Sequence, residues 1–136
     1  MSLMEKVRLI PRVLKADTRG WFLKVIDGSE EGLPNMTGEV YLTLARPGQV
    51  RGNHYHLLAN EWFTVVQGTA QMILADTITG ERVEMVFTGS SPATLFVPAR
   101  IAHAFKNPEN STDPMLLVAY SDQLYDPGDT IQHILV

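Results

Sequence analysis

Two histidines, a glutamate and two glycines stand on a regular spacing: Gly48, five residues, His54, one residue, His56, four residues, Glu61, six residues, Gly68. Residues two apart on a strand put their side chains on one face, about 7 Å apart at Cα, so His54 and His56 reach to the same side. The Leu57-Leu58-Ala59-Asn60 segment then turns and returns Glu61 to that region on the next strand. Gly48 and Gly68 fall where the backbone must turn without a Cβ. Imidazole and carboxylate groups gathered in this way can ligate a metal ion or move a proton near neutral pH.

The elements that would position these groups are strands. No segment keeps a helical periodicity over ten or more residues, whereas short runs rich in Val, Leu, Phe and Tyr recur between turn signals. Besides the His54–His56 segment, candidate strands run from Val7 to Leu14, Trp21 to Ile26, Glu39 to Ala45, Trp62 to Gln67, Thr69 to Ala75, Arg82 to Thr88, Thr94 to Val97, Ala102 to Lys106 and Met115 to Tyr120. Turn chemistry separates them at Asp17-Thr18-Arg19-Gly20, Gly32-Leu33-Pro34-Asn35, Arg46-Pro47-Gly48, Thr79-Gly80, Gly89-Ser90-Ser91-Pro92 and Asn107-Pro108-Glu109-Asn110. Within Glu39 to Leu44, apolar Val40, Leu42 and Leu44 alternate with Glu39, Tyr41 and Thr43, so one face of that strand should meet a core. So many short strands must pair into packed sheets or close on themselves, because open edges invite aggregation. A single all-β domain spanning residues 1–136, folded as a jelly-roll barrel, is expected.

Composition narrows the chemistry. The chain has 136 residues, of which 45% are apolar and 19% charged, a formal charge of −4 and no cysteine. That excludes a disordered chain, a disulfide scaffold, thiolate metal sites and cysteine nucleophiles, so any metal must rest on nitrogen and oxygen. Arg and Lys are scattered singly and form no basic stripe, which argues against nucleic acid as a partner. No apolar run reaches membrane-spanning length and no segment reads as a secretion signal, so no membrane partner and a cytoplasmic location are expected.

The Gly48 to Gly68 spacing matches the first signature motif of the cupin superfamily at every fixed position. Pro98, four residues, His103, three residues, Asn107 matches part of the second, which spans residues 92–107. Pro92 and Arg100 stand where that family usually has glycine, so the local turns should be made differently. The resemblance implies a double-stranded β-helix barrel whose pocket collects His54, His56, Glu61 and His103 around a divalent Zn, Fe, Mn, Ni or Cu ion. His133 lies outside both motifs and is read as an ordinary structural residue.

Further segments resemble the dTDP-4-dehydrorhamnose 3,5-epimerase branch. They are Asp17-Thr18-Arg19-Gly20-Trp21-Phe22, Arg51-Gly52-Asn53-His54-Tyr55-His56, and Tyr120 followed by Leu124-Tyr125-Asp126-Pro127. The middle segment is closer still to the cupin domains attached to capsular polysaccharide reductases. The resemblance implies a nucleotide-sugar substrate carrying a 4-keto group, with a proton removed beside the ketone and returned to the opposite face. It assigns His54 as the base, Tyr125 as the acid with Tyr120 in reserve, and Arg19 and Arg51 to the nucleotide or its phosphates. Lys106, near His103 in the sequence, is expected to add charge at the pocket mouth. The two roles of His54 compete, since a lone pair bound to a metal cannot take a proton. The epimerases usually have Gln at the position of His56 and work without metal, so His56 and Glu61 tilt this chain toward metal-bearing relatives. Two other classes remain open: a metal-dependent dioxygenase with an apolar pocket, drawing on Trp62, Phe63, Phe96 and Phe105, and a non-catalytic sugar-binding module. A homodimer is expected, with the apolar Val7 to Leu14 edge pairing across a two-fold axis.

Overall fold

The computed structural model describes residues 2–136. After one helical turn, α1 (Leu3–Lys6), the elements are β1 (Leu14–Asp17), β2 (Gly20–Ile26), β3 (Glu39–Ala45), β4 (Val50–His56), β5 (Glu61–Gln67), β6 (Thr69–Asp76), β7 (Arg82–Thr88), β8 (Thr94–Val97), β9 (Ile101–Lys106), β10 (Met115–Ser121) and β11 (Thr130–Gln132). They form two antiparallel sheets, six-stranded in the order β1-β2-β3-β10-β5-β8 and five-stranded in the order β11-β4-β9-β6-β7. This is the jelly-roll arrangement that the alternating patterns imply. No helix among the described residues is long and apolar enough to cross a membrane.

The inner faces meet over Ala45, Phe63, Val65, Ala70, Met72, Val97, Phe105, Met115, Leu117 and Ala119, all buried. Each large apolar side chain removed from water there contributes about 1.5–3 kcal/mol. This plug fills one end of the barrel and carries the functional residues at the other. Asn107 braces the junction: its buried Nδ2 donates to the carbonyls of Ala45 at 3.0 Å and Asp113 at 2.9 Å.

Two expectations are corrected, and the face of β3 that turns inward is decided. Val7 to Leu14 is not a strand: pairing starts only at Leu14, and the preceding residues have no ladder. Pro11 sits mid-run, where it lacks the N–H a ladder needs. Ion pairs of Arg8 with Glu31 and of Arg12 with Glu30 and Asp27 tie the segment down instead. In β3 the inward set is Glu39, Tyr41, Thr43 and Ala45, while Val40, Leu42 and Leu44 face out, beside Leu23, Trp21, Leu116 and Val118 of neighbouring strands. The polar side of that strand lines a cavity, and the apolar side forms the outer surface of the six-stranded sheet. At position 100 the turn is not made differently, because Arg100 itself takes the left-handed conformation, φ 72°, that glycine adopts freely. It is held by its N–H donating to the His56 carbonyl at 2.7 Å and by its carbonyl accepting from Thr77 Oγ1 at 2.6 Å. That conformation costs a residue with a Cβ roughly 1–2 kcal/mol, so Arg100→Gly is expected to stabilise the fold by about 0.5–1 kcal/mol. Urea denaturation reads it as a higher midpoint at unchanged slope, and a lowered midpoint would refute the assignment of strain.

Candidate metal centre and cavity

A β-bulge sets the site. Along β4, Arg51 pairs with Phe105 and Gly52 with Ala104, but His54 pairs with His103, leaving Asn53 as an extra residue. Directly paired residues share a face, so the bulge brings Arg51, His54 and His56 all to the inside, where strict alternation would send Arg51 outward. Gly52 (φ 89°) is required here, because a Cβ would lie 2.8 Å from the His103 carbonyl oxygen. Asn53, also left-handed at φ 59°, locks the bulge from outside by accepting from the Leu135 N–H at 2.9 Å and donating to the Val136 carbonyl at 3.1 Å.

His54, His56, Glu61 and His103 each turn one potential ligand atom inward, and these atoms lie within 4.8 Å of one another. For His56, Glu61 and His103, partners on the other side of the group leave those atoms free. The His103 Nδ1–H donates to the Ile101 carbonyl at 3.1 Å, which fixes the tautomer with a bare lone pair on Nε2. The His56 Nδ1 lies 3.3 Å from Thr130 Oγ1 and 3.6 Å from Asp129 Oδ2, so its Nε2 points to the centre. Asp129 is fastened in turn by the Leu58 and Ala59 N–H groups, which it accepts at 2.7 and 3.3 Å. Glu61 Oε2 accepts from the Tyr41 hydroxyl and Oε1 faces inward.

The centre is incomplete as a purely protein arrangement. His56 Nε2, His103 Nε2 and Glu61 Oε1 are buried without a hydrogen-bond partner; the first and last approach to 2.6 Å but are misaligned for a bond. Buried polar atoms left unpaired cost about 1–3 kcal/mol each, more for a charged group. A divalent cation would satisfy all three, so the donor set fits one.

Electrostatics agree. Burial, helped by the neighbouring His103 and His56, pushes His54 down to about 3, and burial likewise lowers His103. Both imidazoles are therefore neutral at neutral pH, the state a ligand needs; a proton acceptor held so low would be a weak base. At His56 burial pulls downward but the Glu61 carboxylate and Asp129 outweigh it, leaving the group raised. Glu61 is net lowered, its burial overcome by the facing imidazoles and the Tyr41 hydroxyl.

Above the four residues opens a cavity of about 500 Å³, within the range of small-molecule sites. Its wall carries Lys15, Arg19, Lys24 and Arg51 together with Phe22, Tyr41 and Tyr125. The Arg51 side chain is 10% exposed, and its Nη1, 3.7 Å from Asp17, has no hydrogen-bond partner. Arg19 grips Asp17 at 2.6 Å, and that hydrogen bond holds the Asp17 carboxyl down at about 2. At the mouth, Glu39 Oε1 accepts from Lys24 Nζ at 2.9 Å and from the Tyr125 N–H at 3.1 Å. The Lys24 ammonium lies 4.7 Å from the centre of the Tyr125 ring.

Two expected site residues lie elsewhere. Lys106 is on the face of β9 opposite His103 and pairs with Glu109. Tyr120 faces outward on β10 against Trp62, which also packs on the outward Phe96. Trp62 and Phe96 thus leave the cavity, while Phe63 and Phe105 flank His103 at its floor. His133 meets Tyr55 edge to face outside the barrel, as an ordinary structural residue would. Tyr41, Glu39, Lys15, Lys24, Asp129 and Thr130 contribute to the site without a signal in the motifs, although the alternation of β3 did place Glu39 and Tyr41 on one face.

A family described as polysaccharide biosynthesis C-terminal domain matches residues 15–131. The UDP-2-acetamido-2,6-beta-L-arabino-hexul-4-ose reductase of Pseudomonas aeruginosa is 25% identical over 113 residues, 83% of this chain but 28% of the reductase. Among solved structures, capsular polysaccharide assembling protein CapF from Staphylococcus aureus superposes with a TM-score of 0.80 at 24% identity, over 92% of this chain and 35% of that one. The dTDP-6-deoxy-D-glucose-3,5-epimerase RmlC from Legionella pneumophila, solved with dTDP-4-keto-L-rhamnose, gives 0.62 at 17% identity, over 89% and 69%. The fold is the cupin jelly roll. The chain spans about a third or less of the reductase and of CapF.

Proposed function

Since the chain belongs to the polysaccharide biosynthesis C-terminal domain family, we propose that its cavity epimerises or isomerises a nucleotide-linked 4-keto sugar by removing and returning a proton beside the ketone. The observation that carries this reading is one cavity holding both a convergent His54, His56, Glu61 and His103 donor set and the guanidinium groups of Arg19 and Arg51. The reductase is named for a UDP-linked hexulose, and the epimerase was solved with a dTDP-linked keto sugar, which supports the substrate class.

Arg51, with an unpaired Nη1, and Arg19 bind the phosphate oxygens of the nucleotide, where a planar guanidinium grips oxyanions in pairs. His54, His56, Glu61 and His103 hold a divalent ion, which when bound supplies Lewis-acid polarisation of the ketone. With the His54 lone pair so committed, Tyr125 carries the proton: its Oη takes it from beside the ketone as the phenolate, and the phenol so formed gives it back to the enolate carbon. Lys24 and Glu39 orient that residue through its ring and backbone. The charged wall suits an anionic substrate better than the small apolar one a dioxygenase would take.

Incubation with a panel of nucleotide 4-keto sugars in deuterated water, read by mass spectrometry, is expected to show deuterium entering at least one of them. Tight binding of such a sugar without any label would replace catalysis by a binding module. Oxygen uptake with bound iron would replace it by a dioxygenase.

A further inference from the structure

The two oxygens of Glu61 have different surroundings. Oε1 faces His56 Nε2 at 2.6 Å and His103 Nε2 at 3.7 Å. Oε2 points away, to the hydroxyl of Tyr41 on the neighbouring side of the cavity. The Tyr41 ring is itself held, packed at 5.1 Å between centroids against Phe22 of β2. We propose that Tyr41 is a positioning residue that makes Glu61 a one-oxygen ligand. This rests on the reading that the four residues hold a divalent ion.

The physical reason is competition for Oε2. A carboxylate can bind a cation through one oxygen or both, and an Oε2 lacking any other partner would turn toward the ion. A hydroxyl donor fixes Oε2 and orients the carboxylate, as outer hydrogen bonds do at metal sites. Three imidazole nitrogens and one oxygen would leave coordination positions to substrate oxygens, whereas a second carboxylate oxygen would take one of them. Tyr41 thereby sets both the affinity of the site and its capacity to take substrate.

The test uses the full chain loaded with Co(II), whose visible bands weaken as coordination number rises. Tyr41→Phe is expected to bind one ion per chain with affinity reduced ~10–100-fold and with visibly weaker bands. Tyr55→Phe, which removes a phenol on the outer face of the same barrel, should change neither. Unaltered bands and affinity in Tyr41→Phe would overturn the inference while leaving the metal reading intact. Failure of the unmodified protein to bind Co(II) or Zn(II) in equilibrium dialysis would instead sink the metal reading, and the inference with it. X-ray absorption of the Zn(II)-loaded unmodified protein needs no variant: a one-oxygen carboxylate supports the proposal, and a two-oxygen carboxylate refutes it.

Discussion

His56→Ala is expected to strip bound metal, lowering the ion content measured by elemental analysis from about one per chain toward none. Four groups converge in the centre, and His56 is the one whose Nε2 sits nearest the Glu61 carboxylate, 2.6 Å from Oε1. Its other nitrogen is oriented by Thr130 and Asp129, so the lone pair that alanine deletes is aimed rather than free to wander. Loss of a partner that merely orients a ligand lowers metal affinity ~10–100-fold, and loss of the ligand itself should exceed that. The same change strips Glu61, whose side chain is 3% exposed, of its closest counter-group. Unchanged metal content in a correctly folded variant would mean that His56 is not a ligand.

Tyr125→Phe should spare sugar-nucleotide binding and slow proton exchange by ~10² or more, since a positioned general acid or base is worth ~10²–10⁴ in rate. The split between rate and binding follows from what phenylalanine keeps. The loop remains pinned by the Tyr125 backbone N–H on Glu39, and the ring remains beneath the Lys24 ammonium. Only the hydroxyl is lost, and Tyr125 is 67% exposed at the cavity mouth, so no core contact goes with it. A hundredfold loss corresponds to about 2.7 kcal/mol of transition-state stabilisation. It should be seen in kcat with KM little changed. An unaltered rate would remove Tyr125 from the mechanism.

The site was more legible than the barrel around it. His54 and His56 share a face through the two-residue strand period, and Glu61 returns across a short turn, so three donors follow from local geometry alone. His103 came from a resemblance whose spacing held in three dimensions. Alternation failed at the β4 bulge, which turns Arg51 to the same side as His54. The expected placement of Lys106 took nearness in sequence for nearness in space, although an odd separation along β9 puts it on the far side from His103. In β3 the rule that apolar residues face inward gave way, because a barrel holding a polar cavity turns Glu39, Tyr41 and Thr43 toward it. The short β11 carries too few residues for a pattern, yet it flanks His54 and His56 and brings Asp129 and Thr130 behind the site.

Residue types and spacings, by themselves, determined that this chain is built of strands, that its donors are imidazoles and a carboxylate, and that His54, His56 and Glu61 meet. Those properties are short-ranged, set by the period of a strand and the reach of a turn. Only the folded barrel decided that Arg51 faces the same cavity as His54, that Tyr41 holds Glu61, and that Tyr120 and Lys106 lie outside. Each of those depends on a bulge, a sheet pairing or a choice of face, and such choices are made by the strands alongside.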